Sequence, residues 1–386
     1  MTQTTQGRLN LALTANDPRA RHLFSAIASL TGVVGEFDFD QIDLVTKYAA
    51  AALSFSYPRS EWWESFQMHP LMQSRRRRVL RRALGDIQSA PDALLMWGSW
   101  FNPMARGNSR QIPFFNYIDQ SRSLAPLEGE PSAAWRLRRR SHALQGITYR
   151  DSSGIFCMSQ WARMQTLESH PTVSASKVHA IGWGPCGIDL SGEEIGRRDG
   201  DPLILHVSND FKRKGVDYLA LIAARIQDTH PRARFIIVGQ DTGRMQVNAP
   251  SNVAFLGPIH DCRELSSLFR RASLFLLPHR FDRSPHVLVE AMSAALPFVT
   301  SAQGGPMELV QGGTEGICVP VGDVDGYTKA VRSLLDHPSE AAALGARGKQ
   351  LMLDRYNWPS VARRILATVS STLADACEAY LASARA

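Results

Sequence analysis

The chain has 386 residues, 44% of them hydrophobic and 20% charged, with a net charge of +7. That length suits two domains with full-sized cores, and the composition excludes a disordered or collagen-like chain. No apolar run approaches the roughly 18 residues of a membrane span, and five scattered cysteines without a CxxC pair argue against a zinc site or a disulfide framework.

The first residues carry no charged leader ahead of an apolar core, so a cytoplasmic protein with free thiols is expected. Residues 9–15, LNLALTA, read as a first buried strand, and Asn16-Asp17-Pro18 turns the chain into a helix from about 19 to 30. Residues 31–70 are less readable. Asp38-Phe39-Asp40 spells DxD, yet it lies in an acidic, turn-like stretch with no clear strand before it, and no metal is expected there. Trp62-Trp63 and Phe66 fit a core or an acceptor groove.

Six arginines then crowd into residues 75–82, from Arg75 to Arg82. Arg136, Arg138, Arg139 and Arg140 form a second cluster. Through Leu190 there are 21 Lys+Arg against 15 Asp+Glu, so +6 of the +7 lies in this half. Each cluster reads as a solvated helix face or as a surface for anionic lipid headgroups or a charged acceptor. No aromatic-interleaved or groove-reading motif accompanies them, and nucleic acid is not an expected partner. Residues 92–97 (DALLMW) and 112–118 (IPFFNYI) are two further strands, the second running into Asp119. A polar segment, 193–201, reads as a hinge.

The second half opens with a strand at 203–208 (LILHVS), the loop Asn209-Asp210-Phe211-Lys212-Arg213-Lys214-Gly215, and an amphipathic helix to Ile226. Strands at 234–239 and 253–256 follow. Residues 274–277, LFLL, have the length and character of a buried parallel strand. A polar loop leads to a helix expected to start at Ser284-Pro285, serine capping and proline taking the first helical position. The next strand, 297–301, ends in the Gly304-Gly305 turn and Glu308. Strand, loop, helix start, strand and glycine turn form a setting for a phosphate at the carboxyl edge of a parallel sheet, with the first helical N–H groups, at Ser284, His286 and Val287, aimed at the anion. Glu290 falls about two turns along that helix, where its two oxygens suit paired ribose hydroxyls. Asp323 reads as a helix cap, and helices are expected at about 324–335, 339–353 and from 358 to the end. Alternating strands and helices in two halves argue for two doubly wound α/β domains facing a cleft.

The residues Asp282-x7-Glu290-Ala291-Met292, Gly304-Gly305 and Glu308, with Ser-Pro-His inside the loop, resemble the signature of family-4 (group 1) glycosyltransferases of the GT-B fold. The resemblance implies an acceptor-binding domain at 1–192, a nucleotide-sugar domain at 200–357, and a C-terminal helix, 358–386, returning to the first domain. It implies a strand before a helix capped by Ser159, and a Gly-x-Asp turn ending the first domain near Leu190. It also implies Lys214 and Arg213 gripping the donor diphosphate, Glu290 on the ribose, and Asp282 with the Gly304 and Gly305 backbone at the transferred sugar. Asp119 stands where many relatives have an active-site histidine. The activity implied is metal-independent, retaining transfer from a nucleoside-diphosphate sugar, with no other cofactor, to a glycan or lipid-linked acceptor in cell-surface glycan or glycolipid synthesis. The plain first loop, Asp119 and Asp282 depart from the family pattern. They leave a catalytically inactive module that binds a nucleotide, a membrane or a protein partner as the alternative.

Overall fold

A computed structural model describes residues 9–53, 66–67, 69–99, 101–103, 112–121, 132–194, 200–239, 249–310 and 312–385. Trp62 and Trp63 lie outside these. The chain divides into two compact units, residues 1–181 with 361–386, and residues 182–360.

The first unit is built on β1 (Asn10–Ala15), β2 (Gly32–Asp38), β3 (Ala93–Trp97), β4 (Phe114–Ile118), β5 (Gly154–Cys157) and β6 (Val178–Ala180), in sheet order β2-β1-β3-β4-β5-β6. Every pair is parallel. Apolar runs such as ALLMW are buried along their whole length, as strands covered on both faces must be. The helices are α1 (Ala20–Ala28), α2 (Leu44–Leu53), α3 (Pro70–Gly85), α4 (Ser132–Asp151) and α5 (Gln160–Ser169). Ser159 caps α5 as expected, its hydroxyl accepting from the Ala162 N–H at 3.0 Å. The stretch without a legible element holds β2, α2 and the start of α3. β2 is an edge strand with no fully buried residue, so its pattern is blurred. Phe66 joins Ile42, Ala50 and Met72 in a small core, which decides its role.

The arginine run is split by the fold. Arg76 of α3 is fully buried: Nε donates to Asp40 Oδ1 at 2.8 Å and one terminal nitrogen donates to the Gln67 carbonyl at 2.8 Å. The Phe39 ring lies 5.6 Å from its guanidinium carbon. The DxD carboxylate at Asp40 is therefore the partner of a core arginine. Arg78, Arg81 and Arg82 face outward.

The second unit repeats the architecture with β7 (Leu203–Ser208), β8 (Arg234–Gly239), β9 (Val253–Gly257), β10 (Leu274–Leu277), β11 (Phe298–Ser301) and β12 (Ile317–Val319). Their order is β12-β11-β10-β7-β8-β9, again all parallel. The helices are α6 (Val216–Gln227), α7 (Cys262–Arg271), α8 (His286–Ser293), α9 (Val324–Asp336) and α10 (Pro338–Arg355). One apolar layer joins α6 (Val216, Leu219, Ile222, Ile226) and α9 (Tyr327, Val331, Leu334) to inward residues of the sheet, Ile204, Phe235, Leu276 and Val299. Asp323 caps α9 as expected, accepting from the Gly326 N–H at 2.9 Å. The final helix, α11 (Trp358–Arg385), contributes its residues from Val361 to the first unit, where Arg364 donates to the Ile181 carbonyl at 2.8 Å.

Residues 182–194 belong to the second unit. Trp358 Nε1 donates to the Pro185 carbonyl at 2.6 Å, and Arg270 pairs with Glu193 at 2.8 Å. The two doubly wound sheets agree with the fold read from the sequence. Among the described residues no helix is long and apolar enough to cross a membrane.

Candidate active site

In the second sheet β7 lies at the centre, and the chain leaves it first toward β8 and β9, then returns to lay β10 on its other side. The order of strands reverses between β7 and β10. At such a point the two following loops part and open a crevice at the carboxyl edge. Those loops are 209–215 and 278–285, the segments that carry Lys214 and Asp282.

The two loops are sewn together. Arg280 donates its backbone N–H to the Arg213 carbonyl at 2.8 Å and forks onto both oxygens of Asp217 at 2.8 and 2.6 Å. Its guanidinium also lies over the Tyr218 ring, 4.1 Å from the centroid. Gly215, at φ +75°, permits the turn into α6, because a Cβ there would stand 1.9 Å from the Pro278 carbonyl oxygen. The ammonium of Lys214 consequently meets the Asp282 carboxylate in a buried ion pair. Arg213 stands beside them, half exposed, with Nε on Asp210 at 2.9 Å and a terminal nitrogen on the Phe281 carbonyl at 3.1 Å. Burial works against the charge on Asp282, but Lys214, by attraction and hydrogen bond, with His279 and Arg213, outweighs it and holds the carboxyl below its usual range.

Two histidines complete this wall. His206 of β7 is fully buried, with Nδ1 2.8 Å from the Leu276 carbonyl and Nε2 2.9 Å from Ser208 Oγ. His279, also buried, follows directly on Pro278, and neither ring nitrogen has a hydrogen-bond partner among the described residues. Burial lowers the pKa of each to about 4, so both are neutral near pH 7. The sequence signal for His279 is a histidine just after an apolar strand run; His206 lies within its strand.

α8 supplies the third side. Its start differs from the expectation: Pro285 takes the cap position and the helix begins at His286, without a side-chain cap. Ser284 does not cap it; its hydroxyl is buried and has no hydrogen-bond partner among the described residues. A proline at the cap has no N–H to offer, and the first-turn N–H groups at His286 and Val287 have no intrahelical acceptor. His286, Glu290 and Ser293 recur at i, i+4 and i+7 and share one face of the helix. That face binds residues 184–190 as a strip. The His286 ring nitrogen Nδ1 pairs with the Gly184 carbonyl at 2.7 Å, Glu290 Oε1 accepts from Gly187 and Cys186 at 2.7 and 3.2 Å, and Ser293 Oγ accepts from Leu190 at 3.0 Å. Burial raises the pKa of Glu290 even against the backbone donors of Gly187, Cys186 and Ile188. A backbone partner leaves no mark in side-chain identity, so the sequence does not reveal this role for 184–190.

Gly304 closes the crevice. At φ +75° its missing Cβ would sit 2.0 Å from the Asp282 carbonyl oxygen, which accepts the Gly305 N–H at 3.2 Å. Glu308, farther on, accepts from the Tyr356 hydroxyl at 3.2 Å. Gly304→Ala is expected to cost at least about 2 kcal/mol of stability, seen as an earlier denaturant midpoint, together with weaker nucleotide binding. An unchanged midpoint would remove the packing argument.

The structure thus gathers Arg213, Lys214, Asp282, Ser284, His286, Val287, Glu290, Gly304 and Gly305 within the second unit, on loops after β7, β10 and β11 and along α8. Asp119 belongs to the first unit, half-buried just after β4. Near that sheet edge lies a polar network that the sequence does not signal: Gln145 donates to Ser99 at 2.7 Å, Ser121 donates to Tyr149 at 3.2 Å, and His170 stacks on His142 with centroids 4.1 Å apart.

With this geometry established, comparison with known proteins finds a family model, glycosyl transferases group 1, matching residues 189–351. A glycogen synthase of Mycobacterium tuberculosis is 31% identical over 172 residues, 43% of this chain and 41% of that protein. A GDP-mannose-dependent monoacylated alpha-(1-6)-phosphatidylinositol monomannoside mannosyltransferase of Corynebacterium glutamicum is 27% identical over 185 residues, 45% of this chain and 48% of that one. The chain spans about half the length of the curated relatives it matches. Among solved structures, sucrose-phosphate synthase from Thermosynechococcus elongatus superposes with a TM-score of 0.70 at 16% identity, over 95% of this chain and all of that one. The fold is GT-B, two doubly wound parallel α/β units.

Proposed function

We propose, from the match of residues 189–351 to the family model for group 1 glycosyl transferases, that the chain moves a sugar from a nucleoside-diphosphate sugar to an acceptor hydroxyl, with retention at the anomeric carbon. The observation that carries the reading is the meeting of Lys214, Arg213 and the start of α8 around the crevice between β7 and β10. These are positive groups without a covalent nucleophile's apparatus, and the chemistry they suit is stabilisation of a departing diphosphate. The buried Ser284 hydroxyl adds an unmatched donor at the same place. The scheme calls on no resident metal, because the protein's own cations and N–H groups carry the charge.

Lys214 is neutralised by Asp282. A diphosphate entering the crevice competes for that ammonium and releases the carboxylate toward the sugar. Glu290 presents its carboxylate to the ribose while Oε1 keeps the strip 184–190 in place. Asp119, after β4, is the residue we assign to the acceptor. The acceptor we propose is a glycan or a lipid-linked sugar, in keeping with a relative whose name is that of a phosphatidylinositol mannoside mannosyltransferase.

The experiment is calorimetric titration with UDP, GDP, ADP and dTDP. One nucleotide is expected to bind, about 10- to 100-fold more weakly in Glu290→Ala, the change for losing hydrogen bonds to a charged acceptor. Glu290→Gln keeps an acceptor for the Cys186 and Gly187 N–H groups, so its deficit isolates the ribose contact from the strip. Binding of none of the four nucleotides would overturn the donor reading.

A further inference from the structure

The first unit carries a surface that sugar transfer does not call for. Along α2, Leu44, Val45, Tyr48 and Leu53 are 67%, 79%, 72% and 61% exposed, and Ala49 and Ala52 are exposed with them. These positions recur at i, i+1, i+4, i+5, i+8 and i+9, one side of a 3.6-residue helix. Nothing on that side is charged. The single charged residue of α2, Lys47, lies half-buried away from it, and the water-facing side is the apolar one, the reverse of an ordinary surface helix.

The neighbouring helix supplies the charge. Met72 of α3 packs with Ala50 of α2, and Arg75 pairs with Asp43 at 2.9 Å, just before the first turn of α2. Arg78 and Arg82 follow Arg75 at i+3 and i+7, on the same side of α3. Both are exposed, as is Arg81. A cationic stripe therefore continues along α3 beyond its contact with Asp43, while Arg76, turned inward, takes no part in it.

We infer that α2 and the exposed arginines of α3 form a docking surface for an anionic lipid bilayer, with α2 lying along the interface. Leu44, Val45, Tyr48 and Leu53 enter the boundary between headgroups and acyl chains, and Arg78, Arg81 and Arg82 meet lipid phosphates. The charge selects this occupant. A second copy of the chain would set two arginine stripes beside each other, and an acidic peptide would match the arginines but leave the apolar side uncovered. The inference goes beyond the transferase reading and does not depend on it.

The test is sedimentation of the full chain with vesicles of phosphatidylcholine alone or with about one-third phosphatidylglycerol, at about 0.15 M salt, where long-range attraction between exposed charges is screened. The protein is expected to pellet with the anionic vesicles and stay in solution with the neutral ones. Leu44→Asp with Tyr48→Asp should lower the partition coefficient at least about tenfold, as should Arg78→Gln with Arg82→Gln. All four positions are exposed, so unchanged melting and nucleotide titration establish that these variants fold and keep a donor response apart from lipid. Three results would overturn the inference. One is wild-type protein left in solution with anionic vesicles. Another is full binding by the double aspartate variant, which makes the attraction one of charge alone. The third is a dimer in sedimentation velocity that the aspartates dissolve, which assigns the surface to a second copy.

Discussion

Replacing Lys214 by alanine is expected to lower kcat by about a hundred- to a thousandfold, the scale for removing one preorganised donor at developing negative charge. Lys214 is buried, and its ammonium is the nearest positive charge to Asp282. Removing it takes a cation from the departing diphosphate and strands a carboxylate in a dry site. The second effect costs about 3–5 kcal/mol of stability, the penalty for breaking a buried pair from one side. Its pH dependence follows from the lowered pKa of Asp282. A depressed carboxyl stabilises the folded chain above the ordinary carboxylate pKa of about 3.9, and that contribution is lost as pH falls through the folded value. Without Lys214, burial dominates and the sign reverses. Denaturant unfolding should therefore show a wide gap between wild type and variant at neutral pH that narrows below about pH 4. Normal turnover in Lys214→Ala would sink the phosphate assignment.

Arg76→Ala is the second large effect, and it acts on the fold. The guanidinium is fully buried against Phe39, Asp40 and Gln67. Burial pulls its pKa below the usual arginine value while Asp40 works to restore it. Truncation leaves the partly buried Asp40 oxygen and the Gln67 carbonyl without their donor, and a loss of about 3–5 kcal/mol follows. In a domain of this size that lowers Tm by about 6–20 °C. Arg78→Ala, two residues on and exposed, should stay within about 0.5 kcal/mol. Calorimetric melting of the pair checks the contrast, and equal shifts would contradict the division of the run into a core arginine and surface ones.

Much of the second unit was legible in the chain. LILHVS, RFIIVG and LFLL became β7, β8 and β10 at the bounds read for them, because short apolar runs between polar turns have no stable alternative to a covered parallel strand. Other elements escaped. β2 is half-buried at a sheet edge. α7, with few apolar residues, takes its start from an Asp261 side chain that accepts the Arg263 N–H at 2.8 Å. The start of α8 was misjudged by one position, since Ser-Pro offers two cap geometries and sequence does not choose between them.

By itself the sequence determined which residue types stand at the ends of the strands: three cations after β7, an acid after β10, a glycine pair after β11 and a glutamate two turns into α8. Strand periodicity and turn residues act over a few positions, and they place such residues at sheet edges whatever lies elsewhere. Tertiary structure alone decided who meets whom. It paired Lys214 with Asp282 across 68 residues, bound Glu290 to backbone N–H groups over 100 residues away, and turned Arg76 inward while leaving Arg78 in water. Those outcomes depend on strand order and on burial. Six arginines within eight residues are chemically alike until a sheet and a neighbouring helix cover one of them and not the next.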